Sequence, residues 1–126
     1  MKELLLYNLN SSKGQQIKQL CTLLKIKFRS VQPEEYLEPV GALAGIKGIE
    51  PTGTPFTGAS FTDEMLIFVN FDDPSLHQFL TRYRQEGIIK VELKAGLTPH
   101  NILWNSIQLR NELKSEHDEL EKTAGR

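Results

Sequence analysis

Residues 64–74 read EMLIFVNFDDP, and this stretch decides the fold. Its apolar run, residues 65–71, has the length and the β-branched and aromatic content of a buried strand. Asp73 is a preferred helix N-cap residue and Pro74 suits the first helical position, so a helix is predicted to begin there. Apolar side chains then recur at the spacing of one helix face, at Leu76, Phe79, Leu80 and Tyr83. The stretch predicts a strand that leads into an amphipathic helix.

Downstream of this helix, the sequence predicts a second strand and a second helix. Gly87 ends the first helix. Apolar and charged residues alternate through residues 88–93, which is typical of an edge strand with one face in water. Thr98 and Pro99 then predict the start of a helix that carries Trp104 and runs to Leu113. The second half of the chain therefore has the predicted order βαβα.

The same order is predicted in the first half of the chain. Residues 3–7 and 26–31 predict two strands, and Pro33 suits the first turn of a short helix. The helix between the strands is capped by Ser11 or Ser12 and carries the apolar stripe Ile17, Leu20, Cys21 and Leu24. A shift of 62 residues places residues 5–8 (LLYN) over residues 67–70 (IFVN). We interpret residues 3–46 and 64–113 as two pseudo-repeats.

The 126 residues are predicted to form a single domain. Residues 47–62 hold three Gly, two Pro and four Thr, so we expect a long, flexible surface loop between the pseudo-repeats. After Leu113 the apolar pattern nearly stops, and residues 114–126 are predicted to be a charged helical tail that frays.

Two βαβα units joined by a long loop predict an α/β fold with a four-stranded sheet. An α+β, ferredoxin-like antiparallel sheet with its helices on one face is the alternative. The continuous apolar runs of residues 4–7 and 65–71 are typical of strands buried on both faces, which favours the α/β arrangement.

The chain also resembles a family of small, mostly bacterial proteins known only as a domain of unknown function. The resemblance rests on residues 5–8 (LLYN), 33–36 (PEEY), 39–45 (PVGALAG), 64–66 (EML), 93–95 (LKA), 97–99 (LTP), Trp104 and 112–117 (ELKSEH). It implies a small single-domain protein and brings no known activity with it.

Charge and composition exclude several kinds of partner. Lys and Arg number 15 and Asp and Glu 16, so the net charge of -1 provides no basic surface for nucleic acid. The apolar runs are far shorter than the ~20 residues of a membrane-spanning helix, so no membrane partner is expected. Cys21 has no second cysteine to pair with and no secretory leader is recognisable, which favours a cytoplasmic location.

No motif for a metal, a cofactor or an activated nucleophile is present. His77, His100, His117 and Cys21 lack the spacing of a zinc site. The nucleophile elbow, the P-loop and the dinucleotide-binding fingerprint are all missing. Cys21 lies on the apolar stripe of its helix, where burial suppresses the thiolate. We therefore predict no metal, no cofactor and no catalytic cysteine.

A candidate ligand site is expected where the strands of a parallel sheet end and the helices begin. The residues predicted to meet there are Asn8, Glu34, Tyr36, Asn70, Thr98, His100 and Asn101. Helix-start amides near Pro33 and Thr98 would hold an anion that asparagine side chains orient, although the same residues suit ordinary turns and caps. The expected function is a small binding or regulatory domain, as a homodimer, that recognises a small anionic ligand or a protein partner.

Two alternative functions stay open. The first is an enzyme that uses Glu34 or Glu35 with Tyr36 or His100, under a lid formed by the loop of residues 47–62 with Phe56 or Phe61 inserted. The second is a protein-interaction module that works through the C-terminal helix.

Overall fold

The computed structural model describes residues 1–124, with side chains described as far as residue 120. The strands are β1 (Glu3–Tyr7), β2 (Lys27–Ser30), β3 (Met65–Val69) and β4 (Leu93–Gly96). The α-helices are α1 (Ser12–Leu23), α2 (Val40–Leu43), α3 (Asp73–Gln85) and α4 (Ser106–Ala124), and a short 3-10 helix covers Pro33–Glu35. Within this described part, no helix combines the length and apolar character needed to cross a membrane.

The four strands form one mixed sheet in the order β2-β1-β3-β4. β1 pairs with β2 and β3 pairs with β4 in parallel, whereas the central pair, β1 and β3, is antiparallel. The predicted α/β class with a four-stranded sheet is confirmed. The ferredoxin-like alternative does not describe this sheet, because its helices cover both faces.

The core has two layers, one on each face of the sheet. Leu4, Leu6, Leu66 and Phe68 face α1 and α3, where they pack against side chains such as Phe79. Their neighbours along β1 and β3 face α2 and α4. The central strands are therefore buried on both faces, which explains why they read as continuous apolar runs.

Residues 62 apart take equivalent positions in the two halves. Leu5 lies directly opposite Ile67 in the antiparallel pair. Asn8 and Asn70 both have a left-handed backbone, with φ of 58° and 62°. A local twofold axis therefore passes between the central strands. Whether the halves arose by duplication stays a prediction, as do the predicted boundaries of the repeats.

The predicted edge strand at residues 88–93 is wrong, because β4 begins only at Leu93. Ile88 and Val91 are buried beside α3, while Ile89 between them is 73% exposed. This spacing of three is not the alternation of a strand. The segment forms an irregular connection that enters the core twice.

The predicted helix start at Thr98 is also wrong, since residues 99–103 form turns and α4 begins at Ser106. Asn105 caps α4 in a reciprocal arrangement with Gln108: each side chain accepts a 2.9 Å hydrogen bond from the backbone N–H of the other. Within the described residues, α4 continues past the predicted fraying point to Ala124. Residues 125 and 126 of the predicted tail lie outside the described residues.

Candidate functional site

The strands that precede the predicted site residues do not all end at one edge of the sheet. The prediction requires β1 and β3 to end at the same edge, but these strands run antiparallel. Asn8, Glu34 and Tyr36 therefore follow strands that end at one edge, and Asn70, Thr98, His100 and Asn101 follow strands that end at the opposite edge. The structure divides the seven candidate residues into two groups.

The amides of Asn8 and Asn70 hold neighbouring backbone in place. Asn8 Nδ2 donates hydrogen bonds to the carbonyl oxygens of Phe61 (3.1 Å) and Asp63 (2.8 Å), and so attaches the end of the long loop to the sheet. Asn70 Nδ2 donates to the carbonyl oxygen of Met1 at 3.1 Å. Asparagine also tolerates the left-handed backbone at both positions better than most residues. Turn chemistry accounts for Asn70, whereas Asn8 also acts on Tyr36: burial raises the pKa of Tyr36, and a hydrogen bond with Asn8 opposes this shift.

Thr98, His100 and Asn101 belong to one compact turn. Asn101 Oδ1 accepts a 2.9 Å hydrogen bond from the N–H of Thr98, and Asn101 Nδ2 donates to the carbonyl oxygen of Gly96 at 3.0 Å. His100 is exposed, and its ring lies edge-on to Trp104 at 5.1 Å between centroids. The Asn101 side chain is thus used within the turn.

Glu34 and Glu35 line a cavity of about 260 Å³ together with residues 51 and 53–55 of the long loop, but neither Tyr36 nor His100 lines it. Glu35 forms an ion pair with Arg29 and also accepts the N–H of Gln32. Glu34 is exposed, while the Tyr36 side chain is fully buried. The Tyr36 ring stacks on Phe61 at 4.6 Å, so this loop aromatic packs against the core as a fixed contact.

An apolar cavity of about 340 Å³ lies elsewhere, between α3, β4 and the connection that joins them. It is lined by Leu66, Phe79, Leu80, Tyr83, Arg84, Ile88, Lys90, Val91 and Lys94. Its volume is at the small end of the range for ligand pockets, which suits a molecule of one ring or a short alkyl chain. None of the seven predicted site residues lines it.

Three of the lining side chains are cationic, namely Arg84, Lys90 and Lys94, and none is acidic. Arg84 and Lys90 are exposed, whereas Lys94 is half-buried. Burial lowers the pKa of the Lys94 ammonium, and the positive charge of Lys90 lowers this pKa further. The cavity therefore combines apolar walls with a cationic rim, on which Lys90 also forms an ion pair with Glu92 at 3.7 Å.

Side-chain hydrogen bonds fix the outer wall of the cavity at three consecutive carbonyl groups. Tyr83 Oη donates to Ile89 O at 2.6 Å, Lys13 Nζ to Lys90 O at 3.0 Å, and Lys94 Nζ to Val91 O at 2.6 Å. Burial raises the pKa of Tyr83 to about 12, so this hydroxyl stays protonated and keeps its donor role at neutral pH. These hydrogen bonds hold the irregular connection in one defined conformation.

Four extra residues in the second half of the chain create this wall. In the first half, the left-handed Lys25 ends the α1 region and β2 begins two residues later, at Lys27. In the second half, the equivalent left-handed residue is Gly87, but β4 begins only at Leu93. The insertion explains why the cavity occurs on this side of the local twofold axis.

Sequence reasoning missed the cavity because Lys90 and Lys94 alternate with apolar residues, a pattern that indicates the wet face of an edge strand. The available signal was the length of the connection from the end of the helix to the next strand, which is longer after Gly87 than after Lys25. Among the described residues, no group of three or more His, Cys, Asp or Glu side chains is arranged to hold a metal ion.

Cys21 is fully buried, as predicted, and burial raises the pKa of its thiol to about 12. Because the thiolate is the reactive form, we expect iodoacetamide at about pH 8 to alkylate the native protein at least about 100-fold more slowly than the urea-unfolded protein. Mass spectrometry against time measures both rates. Equal rates would contradict the burial of this thiol.

The fold and cavity define a three-layer α/β domain with an apolar pocket rimmed by cations. Residues 64–120 match the family described as a domain of unknown function (DUF3783). This stretch contains β3, α3, β4 and most of α4, and hence every residue that lines the cavity. No curated protein and no solved structure matches the chain.

Proposed function

We propose that this domain binds a small organic anion whose apolar body occupies the cavity beside α3. The observation that carries the proposal is the composition of the lining, in which aromatic and aliphatic walls meet three cations and no acidic side chain. Transfer of an apolar body from water into the cavity is favourable, and a carboxylate attached to it is attracted by Arg84 and Lys90 at the rim. Aromatic and short aliphatic carboxylates have both features.

The fixed outer wall supports a binding role. A pocket whose walls are already held by hydrogen bonds loses little conformational entropy when a ligand enters. The three anchored carbonyl groups of residues 89–91 come from the inserted segment. The insertion therefore contributes both the space and its rigidity.

The test uses 4-methylbenzoate and its neutral analogue 4-methylbenzamide as probes in ¹⁵N-resolved NMR titrations. We expect 4-methylbenzoate to bind with a Kd of about 0.1–1 mM and to shift the amide signals of α3 and residues 88–94. The neutral amide should bind at least about fivefold more weakly, because it loses the attraction of the cations. Raising the salt concentration should weaken the binding of 4-methylbenzoate and leave the binding of the neutral amide unchanged.

Leu80→Trp is expected to fill the cavity and to weaken the binding of 4-methylbenzoate at least about tenfold. Leu76→Trp is the matched control, because Leu76 is also half-buried on α3 but does not line the cavity. It should change the Kd less than about twofold. Equal binding of acid and amide, or shifts that are absent from α3, would contradict the proposal and favour the predicted protein partner.

A further inference from the structure

Lys94 has an environment unlike that of a surface lysine. It projects from β4 opposite Leu66, in the register Leu66 to Lys94, and lines the apolar cavity. Its Nζ donates a 2.6 Å hydrogen bond to Val91 O. In the described part of the chain, no carboxylate lies within salt-bridge distance of this nitrogen.

These surroundings lower the pKa of the Lys94 ammonium, so the neutral amine is more accessible here than on a surface lysine. Partial burial costs the charged form its hydration, and the nearby cation of Lys90 repels it; both lower the pKa of Lys94, and Glu92 opposes them. A neutral lysine amine in an apolar pocket, next to a second cation, is the state in which lysine acts as a nucleophile toward carbonyl groups. The carbonyl of Val91 fixes the position of the nitrogen at the cavity wall.

We propose that Lys94 forms a reversible imine with an aldehyde or ketone group on a ligand whose carboxylate is held by Arg84 and Lys90. The Nζ lone pair attacks the carbonyl carbon, and the carbonyl oxygen takes up a proton as the C–N bond forms. Loss of this oxygen as water then leaves the C=N bond, so amine and carbonyl give imine and water with no change of oxidation state. This inference rests on the proposed function for one point, namely that cations at the rim hold the carboxylate of the ligand.

The ligand class follows from the cavity. Its volume of about 340 Å³ admits a small aryl or alkyl body, and the cations select an acid. An aldehyde or keto acid of this size satisfies both requirements, with the carbonyl directed at β4 and the carboxylate at the rim.

The test treats the full chain with 4-carboxybenzaldehyde and sodium cyanoborohydride, which reduces an imine to a stable secondary amine. Peptide mapping by mass spectrometry then gives the labelling rate of each lysine. We expect Lys94 to be labelled at least about tenfold faster than the exposed Lys27, because binding of the reagent in the cavity holds its aldehyde beside the Lys94 amine. An excess of 4-methylbenzoate should suppress labelling at Lys94 and leave Lys27 unchanged.

Lys94→Arg keeps the positive charge but removes the nucleophile, so labelling in the cavity should be lost. Lys47→Arg is the matched control: Lys47 is exposed and does not line the cavity, so this variant should retain the labelling of Lys94. Labelling of Lys94 no faster than that of Lys27, or unchanged total labelling in Lys94→Arg, would overturn the inference.

The same samples separate this inference from the proposed function. If 4-methylbenzoate binds in the cavity but Lys94 is not preferentially labelled, the imine inference is wrong and the binding function stands. If Lys94 is labelled rapidly but 4-methylbenzoate neither binds nor competes, the imine site stands and the anion-binding function is wrong.

Discussion

Phe79→Ala is expected to lower the free energy of unfolding by about 3–5 kcal/mol. The Phe79 side chain is fully buried, and its ring contacts Phe68 edge-on at 5.5 Å and Tyr83 at 6.0 Å between centroids. Removing the ring leaves a void between α3 and the sheet that the surrounding strands cannot close. Because small domains are stable by only about 5–15 kcal/mol, this one substitution removes a large part of the total. Urea unfolding followed by circular dichroism measures the loss.

Phe28→Ala is the matched control for this prediction. Phe28 is the same residue type on the edge strand β2, but it is 41% exposed. We expect its truncation to cost about 1 kcal/mol or less, mainly through reduced strand propensity. Similar losses for the two variants would contradict the packing described for α3.

Gly14→Ala is expected to destabilise the protein by about 3 kcal/mol or more, although alanine is the better helix former. Gly14 is buried in the first turn of α1, and a Cβ atom there would overlap the carbonyl oxygen of Leu9. The obstacle is backbone, which cannot rotate away as a flexible side chain would. Either α1 or the turn before it must move, and this disturbs the packing of α1 on β1.

Gln15→Ala provides the control within the same helical turn. Gln15 is exposed, so this substitution should change the free energy of unfolding by no more than about 0.5 kcal/mol. Thermal unfolding of the three proteins gives the comparison. A Gly14→Ala variant as stable as Gln15→Ala would show that α1 can retreat from Leu9 at little cost.

The helices α1 and α3 could be predicted well because their signals are local. The stripes that contain Ile17 and Cys21 in α1, and Phe79 and Tyr83 in α3, are buried as the 3.6-residue period requires. The caps were predicted to within one residue: Ser11 accepts from Gly14 N, and Asp72 accepts from Ser75 N. Such features depend on neighbours three or four residues away in the sequence.

The candidate site could not be predicted in the same way. Asn8 and Asn70 occupy matching positions in the sequence pattern, and both follow a buried strand. Their separation depends on the direction in which β3 lies against β1, and neither strand encodes that direction in its own apolar run. The cavity depends likewise on a connection whose residues alternate as a strand would but are drawn into the core at Ile88 and Val91.

The sequence by itself determined the α/β class, the buried central strands and the amphipathic faces of α1 and α3, because apolar periodicity and capping act over a few residues. Only the tertiary structure decided the antiparallel central pair, the separation of the predicted site and the position of Lys94 beside an apolar cavity. These features depend on contacts between residues far apart in the chain. The local pattern is compatible with several arrangements of the strands, and the arrangement that buries the most apolar surface is the most stable.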